Sequence, residues 1–231
     1  RRLWQPGENP IKNIIHLLES RGVRLFSLME NCVEVDAYSL WHEARPLVFL
    51  NTMKSAERRR FDAAHELGHL VLHRHAAPNG NDAEREANAF ASAFLMPRAS
   101  MRALGRIPPN LPSIIALKKK WLVSTAAMTM RLHHVGLLKY HQYQSLFMEI
   151  SRMGYRTREP EEMQPERSQV WEKIFAALRS EGHGAGHLSN LLCVPQAEVA
   201  RLVFGLVTLG VPVNEDVIPS RAKGAHLRLV E

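Results

Sequence analysis

The stretch FDAAHELGHLVLH, residues 61–73, restricts the fold and chemistry of this chain more than any other. Its apolar residues recur at helical spacing, and on a helix positions four apart lie about 40° from each other around the axis. His65 and His69 therefore project from one face on consecutive turns, where both imidazoles can reach one ion. Zinc suits neutral imidazole nitrogen at about 2.0–2.1 Å, and a catalytic zinc usually has three protein ligands with a fourth position left to water. Glu66 stands about 100° around from His65, where its carboxylate meets that water rather than the metal. In this arrangement zinc lowers the pKa of the water towards about 7, and Glu66 acts as general base and then returns the proton to the leaving amine. HExxH alone is a short pattern, and twelve histidines in the chain make chance matches real. A third ligand is the useful test.

EREANAFASAFLMP, residues 84–97, supplies one. Ala87, Ala91, Phe94 and Leu95 form an apolar stripe, and Glu84 lies one turn before Ala87 on that stripe. A carboxylate on a core-facing stripe is expensive without a partner, and zinc would be one. The small residues Ala87 and Ala91, with Gly68 opposite, allow the two helices to approach closely. Glu86 is the rival ligand, but it points about 200° away from Glu84 and is read as solvated. His73 continues the histidine face at i+8 and is assigned to packing or to support behind the ligands. His75, His133 and His134 are read as surface or structural residues. GHGAGH, residues 182–187, lacks the strand context of a phosphate loop, so His183 and His187 receive no cofactor role.

The flanking sequence places this pair of helices in an α+β frame. PIKNIIHLLESRG, residues 10–22, has Pro at its start, Gly at its end and isoleucines and leucines near helical spacing. GVRLFSL predicts a strand, CVEVDAYSLW and PLVFLN two more, with HEAR closing a hairpin between them. Ser55 is the expected N-cap of the HELGH helix, with Glu57 in its first turn. A second helix is expected from about Asp82 to Met96, stopped by Pro97. From Leu111 the pattern turns all-helical: SIIALKKKW, the turn-like LVST and AAMTMRLHHVGLL form a helix–turn–helix-like pair with Ser124 as cap. TREPEEMQPE, with two prolines and a run of acidic residues, is the linker candidate. Helices are expected in SQVWEKIFAALRSEG and in HLSNLLCVPQAEVARLVFGL. The predicted organisation is a zincin-like peptidase core over residues 1–110, a helical extension over 111–158, and a linker with a C-terminal helical segment over 159–231.

Composition narrows the class. Apolar content of 45% and charged content of 23% suit a soluble globular protein, and no apolar run approaches the roughly 18 residues of a membrane span. Cys32 and Cys193 form no CxxC pair and no disulfide framework, so a cytoplasmic setting is expected. The formal charge of +7 favours an acidic partner, nucleic acid among them.

Taken in order, NTMKSAERRRFDAAHELGHLVLH, EREANAFASAFLMP and KKKWLVSTAAMTMRLHHVGLL resemble the ImmA/IrrE family of zinc metallopeptidases. The resemblance covers roughly residues 10 to 158, and the tail from about 165 more weakly. It implies zinc held by His65, His69 and Glu84, with Glu66 as the catalytic carboxylate. It also implies a cytoplasmic peptidase that cleaves a helix–turn–helix repressor in a stress-response or mobile-element circuit. Long members of the family carry a repressor-like DNA-binding domain before the peptidase domain, and a chain starting at Arg1 is compatible with its absence here. The interval from His69 to Glu84 is shorter than in some relatives, which bears on the shape of the cleft.

Two functions follow as expectations. The first is a zinc endopeptidase of narrow specificity, its substrate extended beside the PLVFLN strand, with Tyr155, Arg98 or the His133–His134 pair as unranked candidates to stabilise the oxyanion. The second is a DNA-binding regulator with a structural or vestigial zinc centre, motivated by the charge and by the two helix–turn–helix-like pairs. An HExxH glutamate is unnecessary in a closed structural site, which favours the first.

Overall fold

The computed structural model describes residues 4, 7–28, 35–74 and 80–207; Cys32, Val33, His75 and the tail from 208 onward lie outside the described residues. Helix α1 (Ile14–Glu19) starts where Asn13 accepts the His16 N–H at 2.9 Å and buries Ile14, Ile15 and Leu18. It is shorter than its apolar pattern, because Asn13 offers a capping oxygen that Pro10 lacks. The chain reverses at Gly22, whose φ of +82° suits glycine.

Strands β1 (Arg24–Ser27), β2 (Ala37–His42) and β3 (Arg45–Leu50) form one small mixed sheet in the order β1-β3-β2. β2 and β3 are an antiparallel hairpin turning at Glu43 and Ala44, and β1 joins β3 in parallel. The apolar strand PLVFLN is thus central. It has a neighbour on either side and no free edge for a substrate, contrary to expectation; an unbroken apolar run is what a doubly flanked strand requires. The period-two alternation sorts the two faces. In register, Leu25, Val48 and Ser39 form one row, and Phe26, Phe49 and Tyr38 the next. The aromatic row stacks, with centroids 5.2 Å apart for Phe26–Phe49 and 4.6 Å for Tyr38–Phe49, and Trp171 meets Phe26 edge-on.

The other face of the sheet receives helix α2 (Ala56–Leu72), capped by Ser55 as expected. Helix α3 (Gly80–Leu95) packs on α2 with Ala83, Ala87, Ala91, Phe94 and Leu95 buried. The approach is close: a Cβ on Gly68 would stand 3.2 Å from the Ala87 Cα. The short α4 (Arg98–Arg102) follows Pro97. Helices α5 (Leu111–Trp121), α6 (Thr125–His134) and α7 (Tyr140–Arg152) then fold onto one another, and Ser124 caps α6 by accepting the Ala127 N–H at 3.0 Å.

The stretch expected as a linker is packed. Glu159 is buried and accepts from the Thr125 backbone N–H and, at 2.7 Å, from its hydroxyl. Glu166 receives the Ile14 N–H at 3.2 Å and pairs with the buried Arg60. Prolines and acidic residues here mark the absence of helix, not of tertiary contact. Helix α8 (Gln169–Ser180) then meets β1 through Trp171, whose Nε1–H donates to the Leu25 carbonyl at 2.8 Å. Helices α9 (Ala185–Leu192) and α10 (Gln196–Val203) pack together, and α10 contacts β1. Cys193 is exposed with a free thiol. Among the described residues no helix is long and apolar enough to cross a membrane.

Candidate metal centre

α2 and α3 bring His65, His69 and Glu84 together, with one ligand atom from each inside a 4.8 Å span. The Nε2 atoms of His65 and His69 face each other at 2.9 Å, and the Glu84 carboxylate stands 3.1 Å from the first and 3.2 Å from the second. Ligand atoms about 2.0–2.1 Å from one tetrahedral ion are roughly 3.3–3.4 Å apart, so this trio needs little adjustment to share one. Burial and the neighbouring His65 hold the His69 imidazole below its ordinary pKa. A neutral ring with a free lone pair is the form a metal requires.

Glu84 is not buried, as its place on the apolar stripe led us to expect. Its side chain is 60% exposed, at the flank of a stripe whose centre is Ala87. The expected cost of an unpartnered core carboxylate therefore does not apply to it. What brings Glu84 to the histidines is the close crossing at Gly68 and Ala87.

Glu66 is not one of the trio, and its carboxylate meets β2 of the sheet. It is 5% exposed, and the Ser39 hydroxyl donates to its Oε2 at 2.6 Å. Burial pushes its carboxyl above the ordinary value; the Ser39 bond and the adjacent His65 oppose this, and Glu84 adds to it. Ser39 lies on β2, which among the described residues is an edge strand of the sheet and packs beside α2, so the hydrogen bond ties this carboxylate to that strand. Nothing local in the sequence singles out Ser39, because only the register of β2 turns it towards α2.

Behind the histidines lies a second layer. His65 Nδ1 meets Asn88 Oδ1 at 3.2 Å, His69 Nδ1 meets His73 Nδ1 at 3.0 Å, and His73 Nε2 meets Glu86 Oε2 at 3.1 Å. Glu86 is solvated, as its direction on α3 suggests, with its side chain 62% exposed, yet it has this partner. Asn88, four residues after Glu84, shares its flank of the helix and could have been found from spacing alone.

The candidates for oxyanion stabilisation have these described contacts. His133 stacks on Tyr143 and hydrogen-bonds the Leu138 carbonyl at 3.0 Å. His134 and Arg98 are exposed, and Tyr155 closes the end of α7 through its backbone. Among the described residues, no hydrogen bond joins any of them to His65, Glu66, His69 or Glu84.

Paired histidines, a recessed glutamate and a carboxylate from the next helix, on an α+β frame, are features of a metallopeptidase-type protein. A family model for peptidase M78, the IrrE N-terminal-like domain, matches residues 18–133, just over half of the chain, and the chain belongs to that family. No curated protein matches it.

One turn before Glu66, Asp62 has a buried Oδ2 without a hydrogen-bond partner. Burial, with the negative Asp36 and Glu66 nearby, lifts its pKa from 3.8 to about 7. A raised pKa means that the folded state holds the proton more tightly. The associated stability is complete below about pH 4 and is lost as pH rises through 7. Asp62→Asn should therefore stabilise the protein relative to the native chain at pH 8, by on the order of 2–3 kcal/mol, and much less at pH 4. Urea melts at both pH values check this; equal shifts at the two would refute it.

Proposed function

We infer that this protein is a zinc endopeptidase of narrow specificity, working in the cytoplasm on a helix–turn–helix repressor. The observation that supports it most is the division of labour on α2. His65 and His69 point with Glu84 at one spot, while Glu66, between them, is withheld and hydrogen-bonded to a strand edge. Two imidazoles and one carboxylate match a catalytic zinc with an open position, and a closed structural site would need a fourth protein ligand.

When bound, zinc polarises the scissile carbonyl and lowers the pKa of the attacking water. Glu66 takes the proton from that water. Its Oε2 is occupied by Ser39, which leaves Oε1 to accept. Glu66 then hands the proton to the leaving amine. The substrate lies extended along the outer edge of β2, pairing its backbone with that strand as an added β-strand, which sets the scissile bond beside Glu66.

The DNA-binding alternative draws less support. Of the KKK run, Lys118 is buried between carboxylates and Lys119 pairs with Glu161. Trp121, Met128 and Leu132 turn the α5–α6 pair into the core.

The test is incubation of the zinc-loaded protein with candidate repressors and mapping of products by mass spectrometry. Site-specific cleavage abolished by chelator is expected, and an intact repressor set would overturn the assignment. Gly68→Ala provides a second check. Alanine favours the helix by about 0.8–1.0 kcal/mol, but its Cβ would press on Ala87 and Phe90 at 3.2 Å, and overpacking costs about 1–3 kcal/mol. Stability should change by less than about 2 kcal/mol, while zinc affinity falls because α3, with Glu84, is displaced. Unchanged affinity would show that the close helix crossing does not set the ligand geometry.

A further inference from the structure

We propose that His73 and Glu86 are positioning residues for His69, forming a hydrogen-bonded relay that fixes its tautomer and ring orientation. The proposal rests on the metal-ligand role of His69 inferred above. It starts from the direction of each proton. His69 Nε2 faces His65 and Glu84; as a metal ligand through that atom His69 keeps its lone pair there, and the ring proton then sits on Nδ1. That Nδ1–H has one described acceptor, His73 Nδ1 at 3.0 Å. His73 then needs a lone pair on Nδ1, which places its own proton on Nε2, and Glu86 Oε2 is 3.1 Å away to accept it. Every donor in the series His69, His73, Glu86 has an acceptor, and the chain ends on a carboxylate.

The position of His73 suits this role. Its side chain is 9% exposed, against 62% for Glu86, so the relay passes from a buried ring to a solvated charge. His73 is also the C-cap of α2, and its backbone N–H bonds the His69 carbonyl at 3.0 Å. The two residues are therefore joined by backbone and side chain at once. His65 has a different support, the neutral Asn88 amide at 3.2 Å. Helix α3 thus serves the site twice, through Glu84 directly and through Glu86 behind His73.

The substitutions follow from the geometry. His73→Leu removes the acceptor and keeps an apolar side chain of similar bulk, whereas His73→Asn returns an oxygen near the place of Nδ1. Zinc affinity is measured by competition with a chromophoric chelator, and the His69 ring is followed through its ¹⁵N resonances with and without zinc. His73→Leu should weaken zinc binding by about 10–100-fold and abolish the protected Nδ1–H signal of His69, and His73→Asn should recover most of both. Glu86→Ala should weaken binding by a smaller factor and leave that signal in place. If His65→Ala loses zinc and His73→Leu binds as the native chain does, the relay is overturned and the zinc site stands. If neither substitution affects binding, both are overturned. Should His73→Leu fail to fold, His73→Asn decides: affinity as low as that of His65→Ala means that His73 is itself a ligand, which also overturns the relay.

Discussion

Glu66→Gln should leave the protein folded and loaded with one zinc per chain while its cleavage rate falls by about 10²–10⁴-fold. The amide keeps the size of the carboxylate and can still accept the Ser39 hydroxyl, which now stands 2.6 Å from Oε2. It cannot take a proton from water. His65→Ala should lose metal and cleavage together, because it removes one corner of the His65, His69 and Glu84 trio. The informative quantity is the separation of the two effects, read from metal analysis and from initial rates on the same preparations. A Glu66→Gln protein that cleaves at the native rate would remove Glu66 from the mechanism. One that loses its zinc would instead make the glutamate a determinant of metal binding.

Lys118→Met should be the most destabilising single change outside the site. Lys118 is 1% exposed, and its ammonium lies 2.8 Å from Glu57 and 3.1 Å from Glu159, both buried. Removing the cation leaves two buried carboxylates without the charge they share, and breaking a buried ion pair in this way costs about 3–5 kcal/mol. For a chain of this size that is a fall in melting temperature on the order of 10 °C. Glu57→Gln and Glu159→Gln added to Lys118→Met should recover much of the loss, since replacing a whole buried ionic cluster is often close to neutral. Thermal melts of the single and triple variants check this, and a single variant within about 1 kcal/mol of the native chain would contradict the account. The cluster matters because it joins three parts of the chain. Glu57 opens the helix that bears HELGH, Lys118 sits on α5, and Glu159 belongs to the strap that also caps α6.

Glu57 shows why such clusters escape a sequence reading. In the first turn of α2 it has an adequate local role beside the helix N-terminus. Its partners, Lys118 and the Met163 N–H, lie 61 and 106 residues away. No local pattern encodes a pairing at that range. Glu84 teaches the converse: spacing on α3 identified the residue that meets the two histidines, but for a burial that the structure does not show. Angular position on a helix follows from the sequence, whereas depth depends on what packs against that helix.

The sequence alone determined what repeats with a short period or caps a local element: the histidines one turn apart, the stop at Pro97, the Ser55 and Ser124 caps, the hairpin at HEAR, and the α+β order of elements. Tertiary structure decided which strand is central, which residue of β2 turns inward to hold Glu66, and what stands behind His69. It also converted a proline-rich acidic stretch from an expected linker into a strap. The physical reason is range. Helix and turn preferences are settled within a few bonds along the chain, but an edge strand, a buried ion pair or a hydrogen-bond relay exists only after distant segments have been brought into contact, and its energy comes from the water excluded there.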